Sequence, residues 1–219
     1  IIGDNALIDL TKKLDNYLIE DFFISEDEIN TSFKKINKDV ISALEFSFNN
    51  IIEFHSKCRD SLNLVSNDSE ISRVFKPIKS ALLYVPGGKA SYPSSVLMAA
   101  GPAIASQVKD LYLTTPSING VVNDLTVAAA KIAGIEKVAK LGGAQAIAAF
   151  SYGTESIPKV DKIVGPGNAF VAAAQRFVSS DVGIPALTAG PSEILIVTDK
   201  DSNAEWVASD LIGQAEHDS

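Results

Sequence analysis

The stretch ALLYVPGGKASYPSSVLMAAGPAIASQ, residues 81–107, decides the architecture. Ala81 to Val85 is an unbroken apolar run of strand length, Pro86-Gly87-Gly88 is a turn signal, and Ser94 to Gln107 has the length and composition of a helix. The same cycle repeats downstream. Leu111 to Thr114 is the next strand and Asn119 to Ala133 the next helix. Val138 to Leu141 is a third strand that runs into Gly142-Gly143 and the helix Ala144 to Phe150. Lys162 to Val164, the turn Gly165 to Asn168 and the helix Ala169 to Val178 make a fourth unit, and Ile194 to Thr198 closes the series as a strand. Strands alternating with helices of this length predict an α/β fold, with Rossmann-like parallel sheet units, right-handed crossovers and helices on both faces.

Upstream of this region the style changes. The first 70 residues are charged, with Phe and Ile at helical spacing. Ser25 followed by Glu28 is a capping-box signature. Beyond it Ile29, Phe33, Ile36, Val40, Ile41, Leu44, Phe48, Ile51 and Ile52 recur at three and four, which predicts a long amphipathic helix whose stripe serves as core or subunit contact. Residues 60–70 are polar and fit a loop or hairpin.

Composition narrows the function. The 219 residues are 46% hydrophobic, enough to fill one or two cores, and carry a net charge of −8. Such a charge offers no positive field to release counterions from nucleic acid or to hold an anionic membrane, so small molecules or protein partners are favoured. Lys131, Glu136, Lys137 and Lys140 divide the Ala-rich middle before any run of about 18 apolar residues can form, so no membrane span is expected. Ile1 to Leu10 lacks the layout of a secretory signal, and the single cysteine, Cys58, allows no internal disulfide; both fit a cytoplasmic protein. The first residue is Ile, and the last helix stops abruptly after Asp210 to Ser219, so a fragment of a longer chain is expected.

In open α/β sheets ligands bind outside the carboxyl ends of the strands. Four turns in that position stand out: Tyr84-Val85-Pro86-Gly87-Gly88, Leu141-Gly142-Gly143-Ala144-Gln145, Val164-Gly165-Pro166-Gly167-Asn168 and Ala189-Gly190-Pro191-Ser192-Glu193. Glycine lets backbone approach a ligand, and a following helix N-terminus offers amides to an anion such as a pyrophosphate. Tight strand-to-helix turns also need Gly and Pro on their own account, and the Gly-x-Gly-x-x-Gly fingerprint is absent, so spacing alone does not define a dinucleotide site. Near the end of the chain, Trp206 to His217 predicts a helix that places Gln214 and His217 on one face, where an imidazole and an amide oxygen could form half a metal shell. A histidine near a helix end serves equally as a surface cation facing the dipole. His55 and Cys58 lack further His or Cys within reach and fit a structural role.

Taken in order, these motifs resemble the histidinol dehydrogenase family from about Pro77 to the last residue. The stretches that carry the resemblance are YVPGG (84–88) with YPSSVLM (92–98), GGAQAIAA (142–149), GTESIPKVDKI (153–163) with GPGNAF (165–170), AGPSE (189–193) and QAEH (214–217). The resemblance implies that Tyr84, Gln145 and Asn168 contact NAD, that Ser192 contacts substrate, and that Gln214 and His217 are zinc ligands that also meet the substrate. It further implies a zinc-dependent, four-electron oxidation of L-histidinol to L-histidine through an aldehyde, with two NAD used in turn, in a homodimer whose zinc sites are shared between subunits. The family's Glu-His acid–base pair and its remaining Asp and His zinc ligands lie downstream of QAEH, beyond Ser219. This chain alone is therefore expected to bind zinc weakly and to turn over nothing.

One departure is local: Pro185-Ala186 occupy positions where the family has Ile-Asp, which keeps open a related alcohol dehydrogenase with another substrate. A non-catalytic nucleotide-binding module is the third reading, disfavoured by the retention of both Gln214 and His217. Residues 85–193 are expected to form one Rossmann-like, NAD-contacting domain, and residues 1–84 with 194–219 an incomplete, discontinuous second one.

Overall fold

A computed structural model describes residues 3–62, 65–66, 72–87, 91–185 and 193–215. The chain divides into two units, residues 1–187 and 188–219.

The first unit begins with three helices, α1 (Asp4–Leu14), α2 (Glu26–Lys35) and α3 (Lys38–Ser61), followed by a two-stranded antiparallel hairpin, β1 (Val65–Ser66) and β2 (Arg73–Val74). The strand–helix cycle then runs β3 (Ser80–Tyr84), α4 (Pro93–Ala105), β4 (Asp110–Thr114), α5 (Asp124–Ile132), β5 (Lys137–Ala139), α6 (Gly143–Tyr152), β6 (Lys162–Val164) and α7 (Ala169–Val178). β3 to β6 form one parallel sheet in the order β5-β4-β3-β6. The α/β, parallel-sheet expectation is met.

Two cores sandwich the sheet. On one face Leu82, Leu141, Ile147, Phe150 and Ile163 gather beneath α1, α6 and α7; on the other Leu83, Val96, Leu113, Val127 and Val138 gather beneath α4 and α5. A strand covered on both faces reads as a near-continuous apolar run, as Ala81 to Leu83 does, and all five residues of β3 are buried. The open edges of the sheet are blunted. Residues 22–24 bond antiparallel to the outer side of β5, through Ile24 N–H to Val138 C=O (2.9 Å) and Lys140 N–H to Phe22 C=O (2.7 Å). Gly183 covers the outer side of β6 through a parallel bridge, accepting from Ile163 N–H at 2.9 Å. Such covers leave no long edge to pair with another chain.

Three expectations need correction. The long amphipathic helix is two helices. Its predicted capping box is present at Ser25 and Glu28, but Ile36 turns extended and the Asn37 side chain accepts from Asp39 N–H at 2.8 Å, starting α3 afresh. The stripe residues Leu44, Phe48 and Ile51 do pack on the second core, and α3 approaches α4 where Gly101 has no side chain to strike Ile51. The helix expected from Asn119 begins only at Asp124, because Asn119-Gly120 forms a tight turn and Asn123 caps α5 from its side chain. Ile194 to Thr198 is irregular, not a strand: strand composition without a neighbouring ladder leaves its backbone groups to water. The second unit's one described helix is α8 (Ala204–Ala215), which starts two residues before the predicted Trp206. Among the described residues no helix is long and apolar enough to cross a membrane.

Candidate functional site

The strand order places a topological switch. The chain moves from β3 outward through β4 to β5, then returns to β6 on the other side of β3. Helices leaving the carboxyl ends of β3 and β6 therefore diverge to opposite faces and open a crevice, the usual ligand position in such sheets. Tyr84 is the last residue of β3, Asn168 follows β6 by one turn, and Gln145 lies in the first turn of α6 after β5. All three stand at this one edge.

Their geometry differs from one to the next. Tyr84 is 3% exposed, with its ring in the first core; its hydroxyl oxygen accepts from Gly143 N–H at 3.1 Å, holding the N-terminus of α6 against β3. Burial raises the phenol above its ordinary pKa, so the group stays protonated and keeps an O–H to donate. Gln145 is 8% exposed, with its amide oxygen folded back over Gly143. Asn168 is the N-cap of α7, where its side-chain oxygen accepts from Phe170 and Val171 N–H, both at 3.1 Å; the amide NH2 is the part left for a ligand.

The turn glycines have packing reasons of their own. Gly165 sits at φ +117 with its Cα so close to the Tyr84 carbonyl that a Cβ would lie 2.0 Å from that oxygen, and the buried Gln175 of α7 donates through Nε2 to the Gly165 carbonyl at 3.1 Å. Pro116 wedges between Gly87 and Gly142, where added Cβ atoms would meet it at 3.0 and 2.5 Å. Glycine content here is explained by loops interlocking, and the site must be argued from its polar groups. Pro116 and Gln175 carry no chemistry of their own, so nothing in their local sequence marks them.

Behind this edge the loops are tied. Thr114 Oγ1 donates to the Leu141 carbonyl at 2.6 Å, linking β4 to the turn after β5. At the opposite end of the strands, Asp161 accepts from the backbone N–H and hydroxyl of Ser80 at 2.8 and 3.1 Å, and Ser80 accepts in turn from Asp161 N–H at 3.1 Å. β3 and β6 are thus clamped at their starts and free to bear loops at their ends. A cleft of about 350 Å³ opens at the carboxyl ends of β3 and β4, lined by Pro86, Pro116, Ile118 and Val121 among others. A larger one, about 460 Å³, lies between the end of α3, α4 and β6, around Ile78 and Ala81 at the start of β3. Neither cleft is lined by Tyr84, Gln145 or Asn168, so cavity volume does not pick out their position.

Gln214 is half-buried on α8. Ser192 and His217 lie outside the described residues. Gln214 supplies one oxygen donor, fewer than the four ligands zinc ordinarily takes, and among the described residues no group of three or more His, Cys, Asp or Glu gathers to supply the rest. His55 stands edge-on to the neighbouring Phe54 ring, and Cys58 is an exposed free thiol.

Comparison with known proteins extends this picture. The chain is 46% identical to the histidinol dehydrogenase of Neisseria gonorrhoeae over 221 aligned residues, covering 99% of this chain and 51% of that one. It is 46% identical to the histidinol dehydrogenase of Methanococcus maripaludis with the same coverage. The crystal structure of histidinol dehydrogenase from Elizabethkingia anophelis superposes with a TM-score of 0.88 at 39% identity, over 98% of this chain and 50% of that one. The chain spans about half the length of the relatives it matches. With the model of the histidinol dehydrogenase family matched from residue 2 to residue 219, the chain belongs to that family.

Proposed function

We propose that this chain supplies the cofactor-binding part of a histidinol dehydrogenase, an enzyme that oxidises the primary alcohol of L-histidinol to the carboxylate of L-histidine. The observation that carries the reading is the 46% identity to proteins of that name along 99% of the chain. The edge geometry supports the cofactor part. Tyr84 would donate its O–H, Gln145 its amide and Asn168 its NH2 to NAD lying across the switch point.

Gln214 and His217 would hold zinc together with ligands from outside residues 1–219, and Ser192 would meet the substrate. When bound, zinc would grip the substrate and NAD would accept hydride, which keeps the intermediate aldehyde in place between the two oxidations. The acid–base pair would also come from outside this chain. Residues 188–219 would then begin a domain completed elsewhere, which accounts for a strand-like segment without a ladder. A homodimer is supported by exposed aromatics on two helices, Phe46 and Phe54 on α3 and Phe170 and Phe177 on α7, and a cytoplasmic setting by the unpaired Cys58.

The test is a family-length protein containing this chain, assayed with L-histidinol and NAD, and with other primary alcohols in parallel. Oxidation of L-histidinol in preference to the others supports the reading. Preference for another alcohol favours the related-dehydrogenase reading, to which the Pro185-Ala186 departure points.

A further inference from the structure

The buried stripe of α7 holds one residue out of character. Val171, Gln175 and Val178 are spaced four and three apart and share one face; the two valines join the first core, while the residue between them carries an amide. Gln175 is 6% exposed, and an amide taken that far out of water is costly unless a hydrogen bond meets it. A leucine in the same place would carry no such cost. The bond is made to the turn from which α7 starts: Gln175 Nε2 donates to the Gly165 carbonyl at 3.1 Å, along the lean of helical side chains toward their own N-terminus.

The turn has use for such a tie. Parallel pairing between β3 and β6 ends at Leu83 and Val164, one residue short of Tyr84 and Gly165, so the sheet's own ladder does not reach it. Pro166 has no N–H to offer. Beneath the turn Gly167 lies on the Val171 side chain, where a Cβ would strike the methyl groups; toward α4 the turn borders a cleft of about 350 Å³ lined by Ser95, Met98 and Pro102 among others. The Asn168 cap bonds fix the start of α7 but not its place against β3.

Resting on the NAD reading above, we propose that Gln175 is a positioning residue for the cofactor: by holding the Gly165 carbonyl it fixes the turn 165–168, and with it the distance between Tyr84 and the Asn168 amide NH2. Gln175 itself touches no cofactor in this role. It acts through Gly165, whose Cα abuts the Tyr84 carbonyl and whose chain leads in three residues to Asn168. A turn released from α7 would shift one of the two contacts against the other, and a site preset to its ligand would become one that NAD must first order.

The test uses a family-length protein containing this chain, with NAD saturation and thermal melts measured on the parent and its variants. Gln175→Met keeps the length of the side chain but has no donor; the Michaelis constant for NAD should rise about fivefold, the net worth of one hydrogen bond, with that for L-histidinol unchanged. Gln175→Lys offers an N–H donor again and should bring the NAD constant back toward the parent's. Val178→Ala opens the same helix face without touching the turn, so it should lower the melting temperature and leave the NAD constant as it is. An NAD constant unmoved by Gln175→Met, one not lowered again by Gln175→Lys, or an equal rise in Val178→Ala overturns the proposal. So does a Gln175→Met protein without a cooperative melt, which would make the amide a matter of folding. A parent that does not saturate with NAD overturns the NAD reading itself; a parent that does, with the constant raised by Asn168→Asp and not by Gln175→Met, overturns this inference alone.

Discussion

Two apolar runs of equal length meet opposite fates in this chain. Ala81 to Val85 lies between two helical layers, bonded to β4 on one side and β6 on the other. Ile194 to Thr198 is as rich in strand-forming residues, yet forms no ladder, and Leu195 and Val197 are each 87% exposed. The difference is not in the residues but in what stands beside them. A strand is completed by its neighbours, so strand propensity measures how well a sequence suits a pleated, half-buried surface more than any preference of the isolated backbone. In the first run the neighbours come from within residues 80–164; for the second we propose that they come from the part of a family-length protein this chain does not span.

That contrast breaks or sharpens under substitution. Leu82→Ala should destabilise by about 2–5 kcal/mol, because it opens a cavity in a packed core, whereas Leu195→Ala in this chain should fall within about 0.5 kcal/mol. Urea unfolding of both variants checks the pair. Equal costs would break the comparison; a core-like cost for Leu195→Ala in a family-length protein would sharpen it, by showing that the missing neighbours are supplied there.

Next in size is Gly165→Ala. Its new Cβ would be forced onto the Tyr84 carbonyl at a backbone angle that favours glycine, at a cost of about 3 kcal/mol. A melting temperature unchanged from the parent would show that β3 and the β6 turn are less tightly fitted than described.

A smaller effect separates the two duties of Asn168. Asn168→Ala should lose the cap of α7 and about 1 kcal/mol of stability. Asn168→Asp keeps an oxygen for the cap but gives up the NH2 and adds a negative charge where the proposed cofactor would lie. It should leave the melt nearly unchanged while raising the Michaelis constant for NAD in a family-length protein. If both variants alter only stability, the residue is a cap and nothing more.

The smallest effect is a pH dependence at the clamped end of the sheet. The backbone N–H of Ser80, with its hydroxyl, holds the Asp161 carboxylate below its ordinary pKa. A group depressed in the folded state contributes stability that is present above its unfolded pKa, near 3.9, and is lost as pH falls through the lower folded value. The stability difference between parent and Asp161→Asn should therefore be level at neutral pH and shrink below about pH 4. The side chain is exposed, so the change is modest and partly screened. A difference that grows on acidification would contradict the assignment.

Much of this was legible beforehand, for identifiable reasons. The strands at 81–85, 111–114 and 162–164 and the helix Ala169 to Val178 were visible because apolar runs bounded by glycine turns leave few alternatives. The single helix expected beyond Ser25 proved to be two, because a helical stripe can continue across a break: Asn37 costs the pattern nothing while its side chain restarts the backbone. Asn119-Gly120 was the plainest local signal missed, since the apolar residues that follow it suit a helix as well as a hairpin. At the site, the motif order marked Tyr84, Gln145 and Asn168, but not that Asn168 is half committed to a cap or that Pro116 accounts for two of the glycines. Those facts depend on contacts across the sheet that no local stretch encodes. Ser192 and His217 lie outside the described residues, so their roles rest on the family resemblance.

The most direct test of the central claim is a count: the NADH formed per L-histidinol consumed by a family-length protein containing this chain. Oxidation of a primary alcohol to a carboxylate takes up one water and releases two hydrides, so two NADH should form for each histidinol, with a stoichiometric yield of histidine. One NADH with free aldehyde, or none at all, would contradict it.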